Sequence, residues 1–385
     1  KEIFRSAMTP AQSELATWFH HLIRLWREQF RSQEKQPPLT LSEIRRLSRG
    51  IQKLSHGLTR ERILSGRDYF KDPDLLGAYL LFYWPVSYVQ ARYILKAHSI
   101  RPESVLELGS GAGPIGAACD DICGTKITFA DRNPMILKLA LELGRQKKLK
   151  CRTITWNPRK PLPDMLPKYD LITFQHVLNE LWQDDPDRIQ KRLNLVKSML
   201  PRLTHDGRLL FIEPASMSPS RDLLLLRNRM LSEGLYIEAP CLFKGACPAL
   251  EKESDTCHMD LRWSPPPFLK TGIKQAGFQK KELKMTYFIF RTQPVTTPKD
   301  PQLFRIVSDK MLSKNGKIRF IGCHKDGRIS LSLHPSETSP GNRDFSNLKR
   351  GDLVRITDPE QTENGYKLHG DSKVDVIYST RYQIK

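Results

Sequence analysis

The chain has 385 residues, of which 39% are hydrophobic and 27% charged, with a formal net charge of +20. Two or three domains with a large apolar core are expected from that length, and the composition is that of a globular chain. So large a surplus of Lys and Arg repels itself unless a polyanion neutralises it, which points to RNA or DNA; the plain alternative is a solvated basic surface.

The longest apolar stretch, Leu75 to Ala91, contains Pro85 and is shorter than the roughly 20 residues of a membrane-spanning helix, so no membrane association is expected. Seven unevenly placed cysteines do not make a secreted disulfide scaffold and favour a reducing compartment. The first residue is Lys1 rather than Met, which leaves the compartment open.

Along residues 1–100, Leu15, Trp18, Phe19, Leu22, Leu25 and Trp26 recur at three- and four-residue steps, which predicts an α-helical region. Thr40-Leu41-Ser42-Glu43 has the form of a helix start with a capping box. Beyond it, Arg45, Arg46, Arg49, Lys53, Arg60 and Arg62 form a basic face suited to a phosphate backbone or simply to solvent.

From residue 101 to 292, short apolar runs alternate with helical segments, the pattern of a mostly parallel sheet covered on both faces. Strands are predicted at 104–108, 126–130, 151–155, 169–174, 208–213 and 284–291, with helices at 133–148 and 186–200. Gln293 to Pro301, with three prolines, reads as a linker. Residues 302–385 then show brief alternating runs of a small β-barrel, OB-like, a class that carries nucleic-acid bases on a strand face.

Glu107-Leu108-Gly109-Ser110-Gly111-Ala112-Gly113 follows the first predicted strand and precedes a helix, the context a nucleoside-cofactor loop requires. Gly109, Gly111 and Gly113 allow a tight turn and close approach of a ligand. Asp131, 18 residues past Gly113, stands where a carboxylate accepts both ribose hydroxyls. Glu107 would repel a pyrophosphate and suits a sulfonium cation, so S-adenosylmethionine is favoured over a dinucleotide. These residues predict an α/β, Rossmann-like fold of the class I S-adenosylmethionine-dependent methyltransferases; an empty doubly wound fold is the alternative. Asn157 and Gln175, at the ends of the third and fourth strands, complete the cofactor-binding candidates.

A methyl acceptor would approach Gln175-His176-Val177-Leu178-Asn179-Glu180-Leu181, which has no Asn-Pro-Pro-Tyr type motif. His176 or Glu180 would be the base there, although capping is the commoner role for such residues. Cys241 lies too far beyond the fifth strand to be the nucleophile of a carbon-5 methyltransferase.

Cys241, Cys247 and Cys257 fall within 17 residues in the insertion 240–258, and Cys323 would supply a fourth thiol. Four thiolates suit a tetrahedral zinc or an iron–sulfur cluster, and the residues themselves do not separate the two. A ligand set drawn from both sides of the linker would fasten the barrel to the sheet domain. Cys119, Cys123 and Cys151 read as packing residues.

Tyr79-Leu80-Leu81-Phe82-Tyr83-Trp84-Pro85-Val86-Ser87-Tyr88, Leu106-Glu107-Leu108-Gly109-Ser110-Gly111, Val177-Leu178-Asn179-Glu180-Leu181, Ile212-Glu213-Pro214 and the cysteine set together resemble the methyltransferase-like proteins of the mitochondrial small ribosomal subunit and their bacterial relatives. The resemblance implies binding of small-subunit ribosomal RNA during assembly or translation. It also implies a [4Fe–4S] cluster on Cys241, Cys247, Cys257 and Cys323. The location would be a mitochondrial matrix or bacterial cytoplasm, and the chain is expected to be a monomer outside the ribosome. Catalysis is left open: the chain is an assembly factor with bound cofactor, an active rRNA methyltransferase, or a zinc-containing nucleic-acid-binding module. Arg45, Arg46, Arg49, Lys349, Arg350 and Arg355 are the candidate RNA contacts.

Overall fold

The structure, a computed structural model, describes residues 10–29, 38–57, 70–278, 282–296 and 300–379. Arg60 and Arg62 lie outside the described residues. Helix α1 (Pro10–Gln29) buries Leu15, Trp18, Phe19, Leu22, Leu25 and Trp26 on one face, as their spacing predicts. Helix α2 (Leu41–Ser55) opens with the predicted capping box: Thr40 accepts the Glu43 N–H at 3.2 Å and Glu43 accepts the Thr40 N–H at 2.7 Å. Glu43 also receives both arms of Arg27, at 2.6 and 2.8 Å, so a buried ion pair ties α1 to α2. Helix α3 (Pro73–Ala78), a π-helical turn (Tyr79–Tyr83) and helix α4 (Trp84–Ala97) follow as one run. Pro85 falls one residue after the π-helical turn, in which the Trp84 N–H reaches back to Tyr79, so a missing N–H is placed where the helical bonding already shifts register.

The chain then alternates: β1 (Ser104–Leu108), α5 (Pro114–Cys123), β2 (Lys126–Asp131), α6 (Pro134–Lys147), β3 (Cys151–Thr155), β4 (Tyr169–Gln175), α7 (Arg188–Met199), β5 (Leu203–Pro214) and α8 (Met217–Ser232). Next come β6 (Tyr236–Ala239), β7 (Met259–Arg262), α9 (Pro267–Gln275) and β8 (Glu282–Arg291). The sheet order is β3-β2-β1-β4-β5-β8-β6. The first five strands are parallel and β8 runs antiparallel to β5. Val105, Leu171, Leu210 and Ile212 face one core with the N-terminal helices, while Leu106, Leu108, Ile172, Phe174 and Phe211 face the other with α7 and α8. Burial on both faces explains the near-continuous apolar runs of β1, β4 and β5. The strands β6 and β7 were not predicted; at four residues each they are too short to show a period.

Both of them pair with the outer edge of β8, β6 opposite Ile289–Arg291 and β7 opposite Glu282–Met285. The cysteine-bearing segment 240–258 is the connection between them, so both its ends are held on one strand.

Past β8 lie β9 (Leu303–Ile306), β10 (Met311–Leu312), β11 (Ile318–His324), β12 (Gly327–Leu333), β13 (Leu353–Thr357), β14 (Glu360–Thr362), β15 (Gly365–Leu368) and β16 (Lys373–Tyr378). Strand β15 pairs parallel with β12 and β16 antiparallel with β13, the two edges of the β12-β11-β9-β13 sheet. One nearly continuous segment thus bridges both edges and curls the sheet into the expected small barrel around Phe304, Phe320, Leu331, Phe345, Val354 and Ile356.

Candidate functional site

Ligands of open α/β sheets bind beyond the carboxyl ends of the strands where the order reverses, here between β1 and β4. The glycine loop leaves β1 at that point. Gly109, Gly111 and Gly113 have φ of 62°, 51° and 76°, a region where a side chain is strained. A Cβ on Gly109 would lie 2.2 Å from Val177, two residues past β4, and one on Gly113 would lie 2.3 Å from Phe129 of β2. On Gly111 it would meet the Tyr79 hydroxyl at 1.9 Å. The glycines therefore serve close contacts within the chain as well as a tight turn.

Asp131 ends β2 with one carboxylate oxygen accepting the Gly111 N–H at 2.9 Å and the other accepting the Asn133 N–H at 2.9 Å. Burial pushes its pKa up against those two bonds. Each oxygen retains a lone pair, so the carboxylate can still accept ligand hydroxyls. Glu107 turns inward. Its oxygens accept the Ile115 and Gly116 N–H at 3.1 and 2.8 Å, so it satisfies the first turn of α5 rather than facing a ligand. Burial pushes its pKa up to about 8, helped by the Asp131 charge and opposed by the two amides.

Tyr79 and Trp84 were singled out in sequence only as part of a family-like motif, yet both act on the loop. The Tyr79 hydroxyl accepts the Ala112 N–H at 2.9 Å and the Trp84 indole donates to the Ala112 carbonyl at 3.0 Å. The loop's three left-handed glycines and its partnered Asp131 fit an S-adenosylmethionine site. Gln175 and Asn157 each make an intrachain bond. The Gln175 amide donates to the Ser87 carbonyl at 3.1 Å, packing β4 against α4, and exposed Asn157 closes its own turn by accepting the Arg159 N–H at 2.9 Å. His176 has φ 57°, and Glu213 at the end of β5 accepts the Leu178 N–H at 2.9 Å. Burial raises Glu213 to about 8 against the Arg192 charge and the Asn179 and Leu178 amides, with the Glu180 charge adding to the rise.

The four cysteines of the sequence motif share one neighbourhood, and none is in a disulfide. Burial pushes Cys257 and Cys323 up to about 12; Cys247 and Cys241 add to the first shift, and Cys241, Cys257 and Cys247 to the second. Cys247 is raised by burial and then by Cys241. The barrel thiol of Cys323 takes a hydrogen bond from the Phe243 backbone, inside the loop. Two arginines of α8 hold that loop: Arg221 donates to the Lys252 and Asp255 carbonyls at 2.7 Å, and Arg227 to the Phe243 carbonyl at 2.7 Å. The Cys257 carbonyl accepts from Thr286 of β8 at 2.9 Å. No group of three or more His, Cys, Asp or Glu side chains among the described residues is arranged to hold a metal ion. Four thiols are the donor type of a zinc or iron–sulfur site, but their arrangement is not that of a ligated one.

Of the basic candidates, Arg45, Arg49 and Lys349 are exposed. Arg46 and Arg49 pair with Asp74 at 2.7 and 3.2 Å, and Arg355 with Asp300 at 2.9 Å. Arg350 donates to the Val307 carbonyl and to Asp309, so it is committed to the barrel.

Five parallel strands in the order 3-2-1-4-5, an antiparallel strand inserted between the fifth and sixth, and a glycine loop at the switch point define a class I methyltransferase fold. Within that class, the family model described as mitochondrial small ribosomal subunit Rsm22 matches residues 77–352, more than half of the sequence, and the chain belongs to that family.

Solved structures similar to it include TrmN from Thermus thermophilus, with 17% identity and a TM-score of 0.36 over 56% of this chain and 53% of that one. This chain thus spans about half the length of TrmN. A methyltransferase from Pyrococcus furiosus has 13% identity and a TM-score of 0.36 over 54% and 83% of the two chains. The plantazolicin methyltransferase BpumL in complex with SAH has 11% identity and a TM-score of 0.35 over 74% and 100%. No curated protein matches. No helix among the described residues is long and apolar enough to cross a membrane.

Proposed function

We propose that this chain is a small-subunit ribosomal factor that binds S-adenosylmethionine and small-subunit ribosomal RNA and acts in subunit assembly or translation. The mitochondrial location in the family's description makes the matrix the favoured compartment over a bacterial cytoplasm. The observation that carries cofactor binding is the Asp131 to Gly111 hydrogen bond at the switch point, which orders the glycine loop beside an acceptor for ribose hydroxyls. When bound, the cofactor supplies an electrophilic methyl group; the chain's part is to hold it and to align an acceptor. RNA binding rests on the net charge of +20 and on the barrel, with exposed Arg45, Arg49 and Lys349 as the leading candidates and Arg46, Arg350 and Arg355 beside them. In this reading residues 1–100, 101–292 and 302–385 are the three working parts, and the chain is a monomer outside the ribosome.

A [4Fe–4S] cluster on Cys241, Cys247, Cys257 and Cys323 belongs to the same reading. Its support is the mutual charge influence of the four thiols and the cations that act on them, Arg227, Arg328 and Arg350, with the half-buried Lys244 beside Cys241 and Cys323. Those cations would offset the negative charge of a tetrathiolate cluster. Zinc on the same thiols is the alternative.

A second reading, active rRNA methylation, is favoured by one observation: Val177 packs on Gly109, which sets the 175–182 segment against the cofactor loop. Anaerobically purified protein tests these readings together. Iron and acid-labile sulfide near four each per chain are expected, whereas zinc without sulfide would replace the cluster with a zinc site. Transfer of labelled methyl from S-adenosylmethionine to naked small-subunit RNA or immature subunits would establish the enzyme. Cofactor and RNA binding without transfer would establish the assembly factor. Failure to bind the cofactor would remove the carrying claim.

A further inference from the structure

Tyr79 begins the π-helical turn between α3 and α4, an irregularity that often marks a functional position. Its ring packs edge-on to Phe70 at 5.0 Å and its hydroxyl lies 1.9 Å from where a Cβ on Gly111 would stand. A phenol has one proton to donate and lone pairs to accept with. The accepting side is used by the Ala112 N–H, but no described residue accepts the Tyr79 proton. Burial, with the nearby Asp131 and Glu107 charges adding to it, pushes the phenol's pKa above its ordinary value, so the proton stays in place at any physiological pH.

A donor without an acceptor among the described residues, held against the cofactor loop, calls for a ligand acceptor, and S-adenosylmethionine offers few. Its ribose hydroxyls suit the acceptor Asp131, and its sulfonium is a cation that accepts nothing. The carboxylate of its amino-acid end is the one anionic oxygen group on the molecule. We propose that the Tyr79 hydroxyl is a cofactor-binding group that donates to this carboxylate, placing the amino-acid end of the ligand over Gly111 and leaving the ribose to Asp131. The proposal rests on the cofactor reading above. It makes the 79–83 turn part of the ligand site rather than only a cover for the loop.

The rival account is that Tyr79 only supports the loop through the Ala112 N–H. Tyr79→Phe removes both bonds, so the two accounts are separated by ligand rather than by variant. Calorimetric titration of the full chain with S-adenosylhomocysteine, which has the carboxylate, is compared with 5′-methylthioadenosine, which lacks it. The phenylalanine variant is expected to bind S-adenosylhomocysteine about tenfold or more weakly, the usual loss for a hydrogen bond to a charged group. Its affinity for methylthioadenosine is expected to stay within about twofold, and thermal melting without ligand confirms that the variant is folded. Equal weakening of both ligands would reduce Tyr79 to loop support, and no weakening of either would overturn any role in binding. Wild type that binds neither ligand would overturn the cofactor reading itself and this proposal with it, a result distinct from the other two.

Discussion

Arg328 on β12 of the barrel donates to the Asp255 carboxylate at 3.0 Å and to the Thr256 carbonyl at 2.8 Å, one residue before Cys257. The bond joins the barrel to the cysteine loop of the methyltransferase sheet. The Asp260 N–H to the Arg350 carbonyl, at 3.4 Å, joins barrel and sheet again, and the Tyr93–Tyr378 ring contact, at 5.6 Å, joins the barrel to α4. Arg328→Met is expected to lower the urea midpoint by the equivalent of about 1.5 kcal/mol, the lower end for a charged hydrogen bond because the guanidinium is partly exposed. An unchanged midpoint would mean that the barrel docks without this clamp.

The Arg27–Glu43 pair tests the N-terminal helices. Both side chains are almost wholly buried, at 2% and 7% exposure, and Glu43 also closes the α2 capping box. Arg27→Met leaves a buried carboxylate unpaired and is expected to cost about 3–5 kcal/mol by chemical denaturation. The double variant Arg27→Met, Glu43→Gln removes the charge and should recover part of that loss; no recovery would show that the guanidinium acts through packing alone.

Glu213 predicts a pH dependence. A carboxyl whose native pKa is raised binds its proton more tightly folded than unfolded. Its stabilising contribution is complete below the unfolded value of 4.5 and is lost as the pH rises through about 8. One Glu213 oxygen accepts backbone amides and the other, buried, has no partner among the described residues, so glutamine fits without breaking a bond among them. The Glu213→Gln variant should therefore lose less melting temperature than wild type between about pH 6 and pH 8.5. Parallel curves would mean that the carboxyl titrates at its ordinary value.

Gly111 carries two separable constraints, a φ of 51° and the Tyr79 hydroxyl at its open side. Gly111→Ala is expected to cost about 1–3 kcal/mol. Adding Tyr79→Phe removes the hydroxyl clash and leaves the backbone strain, so the double variant should be more stable than the sum of the singles. Simple additivity would assign the whole cost to φ.

On the basic surface, Lys349→Ala and Arg45→Ala should each weaken RNA binding and lower the salt slope by about 1, as expected for a lost phosphate contact. Arg46→Ala and Arg49→Ala should act mainly on stability, because both guanidiniums hold Asp74 at the start of α3. A wild-type affinity insensitive to salt would contradict the RNA reading.

Much of the fold was legible in the sequence because its signals are local. The capping box at Thr40 and Glu43, the apolar runs of β1 and β4, and the glycines ahead of α5 each declare themselves within a few residues. So does the identity of the four cysteines. Less legible was α8, whose Arg221 and Arg227 hold the cysteine loop through carbonyls that leave no mark in the residue types. The short β6 and β7 were invisible for want of length.

Side-chain direction was settled only by tertiary structure. By itself the sequence determined that a carboxylate stands at Glu107 and an amide at Gln175. It could not determine that the first turns into the α5 amides and the second into α4, because both choices depend on which unpaired backbone groups lie nearby once the helices pack. Likewise the tyrosine at position 79 was plain in the sequence, while its contact with Gly111 arises from a helical region 32 residues earlier folding back across the sheet. Spacing along the chain carries no record of such a contact, since long-range packing alone creates it.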